Sequence, residues 1–190
     1  MTAGIKANSD GSAAIQVGGS DAITITSGLA VSINGGVVYP LVSGTSQTAP
    51  FTAPNTYADF TGIPSTAKRI IVMFNGVSLS GTSSILIQLG DSGGIENTGY
   101  VSYAGETPTI SSTAGFVCYL GNASRALSGL YIITNISANG WVGSSAFSNA
   151  NNALAGAGSK TLSDTLTQLR ITTVNGLDTF DAGTVNILWE

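Results

Sequence analysis

The sequence predicts an all-β fold: an antiparallel β-sandwich, jelly-roll-like, with a small β-rich segment ahead of it. Three observations predict it. Thr, Val and Ile are plentiful while the strong helix formers Glu, Lys, Gln and Arg are scarce, a balance that favours strands. Short apolar runs alternate with polar residues at a period of two, and no stretch carries a helical stripe. Gly, Asn, Asp and Ser clusters separate the runs at the spacing expected of sandwiches and barrels. Hydrophobic residues make up 43% of 190, enough for a real core and too many for a disordered chain.

Taken in order, residues 13–17 and 22–26 each alternate and each follow a Ser/Asp/Gly turn. Residues 29–33 run into Asn34-Gly35, the dipeptide preferred in tight hairpins, and Val37-Val38-Tyr39 leads to Pro40. These strands carry few large side chains and cannot make a core of their own. They need the rest of the chain, or other copies of it, to pack against. The expected organisation is a first segment over 1–45, a linker over 46–56 containing Pro50 and Pro54, and a sandwich domain over 57–190.

Within that domain, Lys68-Arg69-Ile70-Ile71-Val72-Met73-Phe74 is the densest apolar run and is expected to be a strand buried on both faces, with a turn or bulge at Asn75-Gly76. Residues 84–89 alternate cleanly, with Ile85, Ile87 and Leu89 on one face. Further strands are expected at 100–103, 116–120, 130–136, 166–174 and 184–189, with Asn139-Gly140 turning the chain into Trp141. The last strand puts Val185, Ile187 and Trp189 on one side. Residues 147–160, rich in Ala, Asn, Ser and Gly, show neither period and read as a surface loop. A short helix over 150–154 is the alternative there, ended by Gly156 and Gly158.

The chemistry is sparse. The absence of histidine removes Ser-His-Asp triads, Cys-His pairs and His-bearing metal sites. Cys118, alone in an apolar strand, reads as a buried small hydrophobe. Lys6, Lys68, Arg69, Arg125, Lys160 and Arg170 are scattered and the net charge is −4, which argues against nucleic acid. No apolar run reaches a membrane-spanning length, and Met1-Thr2-Ala3-Gly4-Ile5-Lys6 has no secretory core, so synthesis in a bacterial cytoplasm without membrane insertion is expected. No cofactor is implied, and no catalytic or metal-binding residue is assigned.

Two acidic loops remain. Asp91-Ser92-Gly93-Gly94-Ile95-Glu96 has the two carboxylates of a cation or sugar-binding tip, but lacks the further oxygen ligands of a calcium loop. Asp178-Thr179-Phe180-Asp181 precedes the last strand, and in both places Asp and Gly also suit a plain solvated turn. Gly18-Gly19-Ser20 lacks the lysine and helix of a phosphate loop. Among the aromatics, Tyr119, Tyr131 and Trp189 sit in strand-like surroundings and belong to the core or an interface. Tyr100, Tyr103 and Trp141 lie near turns. With Asp91 and Glu96 they are the candidate ligand contacts, packing being their ordinary alternative.

Several composite patterns carry a resemblance. They are Ala7-Asn8-Ser9-Asp10-Gly11-Ser12 through Ile15-Gln16-Val17-Gly18-Gly19-Ser20-Asp21-Ala22-Ile23-Thr24-Ile25, then Ile71-Val72-Met73-Phe74-Asn75-Gly76-Val77-Ser78 with residues 87–100, and the close Phe180-Asp181-Ala182-Gly183-Thr184-Val185-Asn186-Ile187-Leu188-Trp189-Glu190. Together they resemble tail-fibre, head-fibre and decoration proteins of tailed bacteriophages. The resemblance implies a homotrimer or larger ring of β-rich subunits on the virion, with residues 1–45 as the attachment or oligomerisation segment and 57–190 as the exposed head. Its partners would be further copies of the chain, other capsid or tail proteins and a host surface glycan. The implied function is non-enzymatic display and host attachment. Capsid decoration that stabilises the shell is the alternative within the class. Outside it stand a carbohydrate-active enzyme drawing a carboxylate pair from Asp91, Glu96, Asp178 and Asp181, and a bacterial surface adhesin.

Overall fold

The computed structural model describes residues 55–105, 109–149 and 152–190, and before them the strands that lie within residues 3–48. Every regular element among the described residues is a β-strand. In chain order they are β1 (Ala3–Ala7), β2 (Ala13–Val17), β3 (Ser20–Ile25), β4 (Val31–Ile33), β5 (Gly36–Val38), β6 (Val42–Ser43), β7 (Gln47–Thr48), β8 (Tyr57–Thr61), β9 (Arg69–Leu79) and β10 (Ile85–Asp91). They continue with β11 (Gly94–Ile95), β12 (Tyr100–Ala104), β13 (Ile110–Ser112), β14 (Phe116–Cys118), β15 (Leu127–Asn135), β16 (Gly140–Ser148), β17 (Ala153–Thr161), β18 (Gln168–Thr173) and β19 (Phe180–Trp189).

The chain forms two compact units, divided after Leu41. The first is an antiparallel meander, β1 to β5, in sequence order. Its expected strands are present; the Asn34-Gly35 turn lies outside the described residues, although Ile33 pairs with Gly36 on either side of it. The second unit starts at Val42. β7, within the stretch expected to be a linker, and β6, just ahead of that stretch, both pair with β19.

The second unit is an antiparallel sandwich. One sheet runs β11-β10-β18-β8, with β14 beside β11 on the same edge of β10. The other runs β13-β12-β17-β16-β15-β9-β19, closed by β6 and β7. A two-stranded ribbon links the sheets: Ile70 pairs with Trp189 and Leu79 with Phe180 in one, Ile85 with Thr173 and Gly90 with Gln168 in the other. At the corner between them, Ser80 N–H donates to Thr179 and Val174 N–H to Ser84. This folded ribbon carries the jelly-roll character.

The core fills the space between the sheets. Tyr100, Phe116, Tyr131, Phe147 and Phe74 form a chain of ring contacts with centroids 5.3 to 6.4 Å apart. Such edge-on and tilted arrangements suit the ring quadrupole. Cys118 is fully buried in this core, and burial pushes its thiol pKa far up.

Two expectations are corrected. Residues 153–161 are a central strand, not a loop or a helix, paired with β16 on one side and β12 on the other. Their small side chains hid the period, and the rings explain the smallness. A Cβ at Gly158 would lie 2.9 Å from Phe116 Cδ1, and one at Gly143 in β16 would strike the Tyr131 ring. Next, β9 is buried on its core face and only half-buried on the other. The strand buried on both faces is β10, where a second small cluster of Leu86, Ala104 and Val117, flanked by Ile110, Ala114 and Tyr119, covers the outer side.

The break expected at Asn75-Gly76 is a bulge. The pairing slips at that level against both neighbours, between Leu127 and Gly129 and between Ala182 and Thr184. Gly76, Gly129 and Gly183 all have positive φ there, so three adjacent strands bend on one line of glycines. This line curls the larger sheet.

Candidate functional site

β10 ends at Asp91, and a tight turn returns the chain as β11, with Asp91 opposite Gly94. Gly93 N–H donates to Asp91 Oδ1 at 2.7 Å, which fixes the turn. Five residues after the end of β11, Tyr100 begins β12 opposite Lys160 of β17. That pairing brings a lysine to Glu96, one of the two carboxylates of the loop.

Lys160 is 6% exposed. Its ammonium forms an ion pair with Glu96, donates to the Thr98 carbonyl at 2.9 Å and lies 5.2 Å from the centre of the Tyr100 ring. Ser163, just beyond β17, donates its N–H to Glu96 Oε1 at 2.7 Å. Its hydroxyl stands 2.7 Å from Asp91 Oδ2 and 2.8 Å from Glu96 Oε1. Gln168 donates to the Asp91 carbonyl at 2.6 Å. The Tyr100 hydroxyl accepts from Leu89 N–H at 2.7 Å and donates to the Glu96 carbonyl at 3.1 Å.

The electrostatics follow. The Ser163 hydroxyl, and after it the Gly93 N–H, hold the Asp91 carboxyl below its ordinary value. For Glu96, burial opposes the charge, but the Lys160 ammonium and the two Ser163 donors outweigh it, and its pKa is lowered too. Burial raises the Tyr100 phenol. A general acid needs a pKa near the working pH, and a carboxylate pair for glycoside cleavage needs one member raised. Here both are lowered and tied to one hydroxyl.

The other expected acids do not join them. Asp178 braces the ribbon corner, accepting from Ser83 N–H and Asn175 Nδ2, both at 2.9 Å. Asp181 accepts from the Ser78 hydroxyl on the exposed face of the same ribbon. No group of three or more acidic or cysteine side chains suited to a metal ion occurs among the described residues.

Of the three candidate aromatics, two are core residues: Tyr100 is 1% and Trp141 3% exposed. Each stands at the inward phase of its strand, so nearness to a turn does not bring it to the surface. Tyr103, three residues after Tyr100 and so on the opposite face of β12, points outward at 55% exposure. With Val101, Ser111, Ser112 and Thr113 it lines a shallow depression of about 110 Å³. Tyr119 and Trp189 are half-buried against the core and Tyr131 is within it.

Sequence reasoning missed Lys160 and Ser163, because both lie in or beside the stretch read as a loop. The usable signal was Leu154 and Lys160, an even number of positions apart and both inward once 153–161 is a strand. Arg170 was also unassigned. It makes a two-pronged bond to Asp59 at 2.6 and 2.7 Å and stacks 4.0 Å from the Tyr57 ring centre.

A scan against protein-family models, a search of curated proteins and a search of solved structures return no match to this chain.

Proposed function

We propose that this chain is a non-enzymatic structural protein of a tailed-bacteriophage particle, carried on its surface in several copies and attaching the particle to the host. One observation carries the non-catalytic part of the reading. In the Asp91–Glu96–Lys160–Ser163 cluster every charged group is held by a neighbour, and both carboxyls are lowered into their ionised forms. Such a network fixes the end of a sheet rather than moving protons. The side chains open to a ligand are neutral: Tyr103 with Ser111, Ser112 and Thr113, a ring face beside hydroxyls that suits a sugar surface. The resemblance in the sequence supplies the setting, and repeated weak contacts supply the mechanism, since linked copies gain avidity without new contacts.

The test is immunogold labelling of purified particles with antibody to the chain, followed by host-cell binding of the purified protein. Labelling at the tail or on the head is expected, with cell binding weakened by Tyr103→Ala. Absence of the protein from particles would sink the reading. Release of new reducing ends from host polysaccharide would sink its non-enzymatic part.

A further inference from the structure

Three asparagine–glycine pairs lie among the described residues: Asn75-Gly76, Asn139-Gly140 and Asn175-Gly176. Such a pair can react with itself. Glycine has no side chain to keep its nitrogen from the Cγ of the preceding asparagine, and the two can close a five-membered imide. Asparagine is thermolabile for this reason. The fold decides which of the three pairs has the opportunity.

Asn75 stands within β9, between β15 and β19, and Gly76 N–H is held by the Ser128 hydroxyl at 2.9 Å. Asn139 is half-buried, Gly140 is buried, and no donor is aimed at the Asn139 amide among the described residues. Asn175 and Gly176 are both exposed, in the turn between β18 and β19. Gly176 has a φ of 67°, which fixes glycine there. The Asn175 Oδ1 accepts from Leu177 N–H and Asp178 N–H, both at 3.0 Å, and lies 3.2 Å from the Thr173 hydroxyl. Those donors converge on the oxygen that turns negative when Cγ is attacked. The bond that restrains the nucleophile, from Gly176 N–H to the Thr173 carbonyl, is at the long end of its kind at 3.2 Å.

We infer that Asn175 is a modification site, at which the folded chain converts itself to aspartate and isoaspartate. The Gly176 nitrogen gives its proton to solvent base and bonds to the Asn175 Cγ. The side-chain nitrogen takes up a proton and leaves as ammonia. Water then opens the imide, giving aspartate when the new bond breaks and isoaspartate when the original main-chain bond breaks. One amide and one water become one carboxylate and one ammonium, with no oxidant or cofactor.

The product disturbs the corner between the sheets. Asn175 Nδ2 donates to Asp178 Oδ1 at 2.9 Å, and Asp178 in turn accepts from Ser83 N–H. In the aspartate product an acceptor oxygen replaces that donor, so two carboxylates face each other. Asp178 has little room to withdraw, because Gly81 packs so closely that a Cβ on it would collide with the carboxylate. A lock thus becomes a repulsive pair. This does not depend on where the protein is carried.

The experiment is peptide mapping by mass spectrometry of the full chain, aged at mildly alkaline pH in water enriched in heavy oxygen, folded and in urea. Uptake of solvent oxygen marks each converted asparagine. In the folded chain Asn175 is expected to lead Asn75 and Asn139 by about tenfold, less than the roughly hundredfold of a buried oxyanion donor. In urea the three should react alike. A folded-chain rate at Asn175 no higher than at either other site overturns the inference, and so does the same lead in urea. Urea unfolding of Asn175→Asp, with Asn175→Ser removing the amide but adding no charge, tests the corner. The Asp variant is expected to unfold at the lower urea concentration; a midpoint at or above that of the Ser variant overturns the repulsion. The mapping uses the wild type, so it decides the site even where a variant fails to fold.

Discussion

Ser163 has one hydroxyl proton and two carboxylates within reach, so it can serve Asp91 or Glu96 but not both at once. Its backbone N–H, aimed at Glu96, leaves the hydroxyl free to favour Asp91. Both carboxyls have lower pKa values folded than unfolded. The unfolded chain therefore binds more protons as the pH drops, and the stabilisation is complete above the ordinary carboxylate range and lost below it. Thermal unfolding should show the midpoint falling steadily from about pH 5 to about pH 3. In Ser163→Ala that fall should be shallower, since less lowering is left to lose; an unchanged acid limb would show that the hydroxyl does not tune the pair.

The bulge line makes a sharper claim about the strands that carry it. Gly76 and Gly183 both have positive φ, but a Cβ at Gly76 meets open space while one at Gly183 collides with the Gly76 carbonyl. Gly76→Ala should cost about 1 kcal/mol, the price of the left-handed backbone alone. Gly183→Ala adds displacement of the facing strand and should cost about 3 kcal/mol or more. Urea unfolding of the two variants separates them, and equal losses would mean the strands are not packed together at the bulge. The sequence announced this break through Asn75-Gly76, and it announced most other strands because their apolar residues alternate. It concealed β17, since Ala, Gly and Ser carry no hydrophobic signal whichever way they face. The same blindness concealed Lys160, whose partner depends on β17 being a strand. It also misjudged the layering of β9 and β10, because which outer face is covered depends on a cross-connection, here residues 110–119 lying over Leu86. Asp91 and Glu96 were visible as a loop pair, but the hydroxyl that joins them comes from 72 and 67 residues away.

At the scale of the whole molecule the sandwich is held by one core, and Cys118 reports on it. The thiol is fully buried and its ionisation suppressed, so a thiol reagent should reach it only when the sheets part. Labelling under native conditions should be slow and should accelerate with denaturant in step with global unfolding. Rapid labelling in buffer would mean that the β14 edge opens by itself. The folded ribbon bears on events before any of this. Its first arm, β9 and β10, leaves the ribosome long before β18 and β19 are made, and Val72 must wait for Ile187. During that interval the most apolar segment of the nascent chain has a strand edge with no native partner. Pairing at such sequence distance is slow, and an unsatisfied edge invites neighbours on the same polysome. The completed protein is therefore governed in the cell by the timing of its synthesis as well as by its final stability, and slowing elongation through residues 91–167 should shift the yield from soluble product to aggregate.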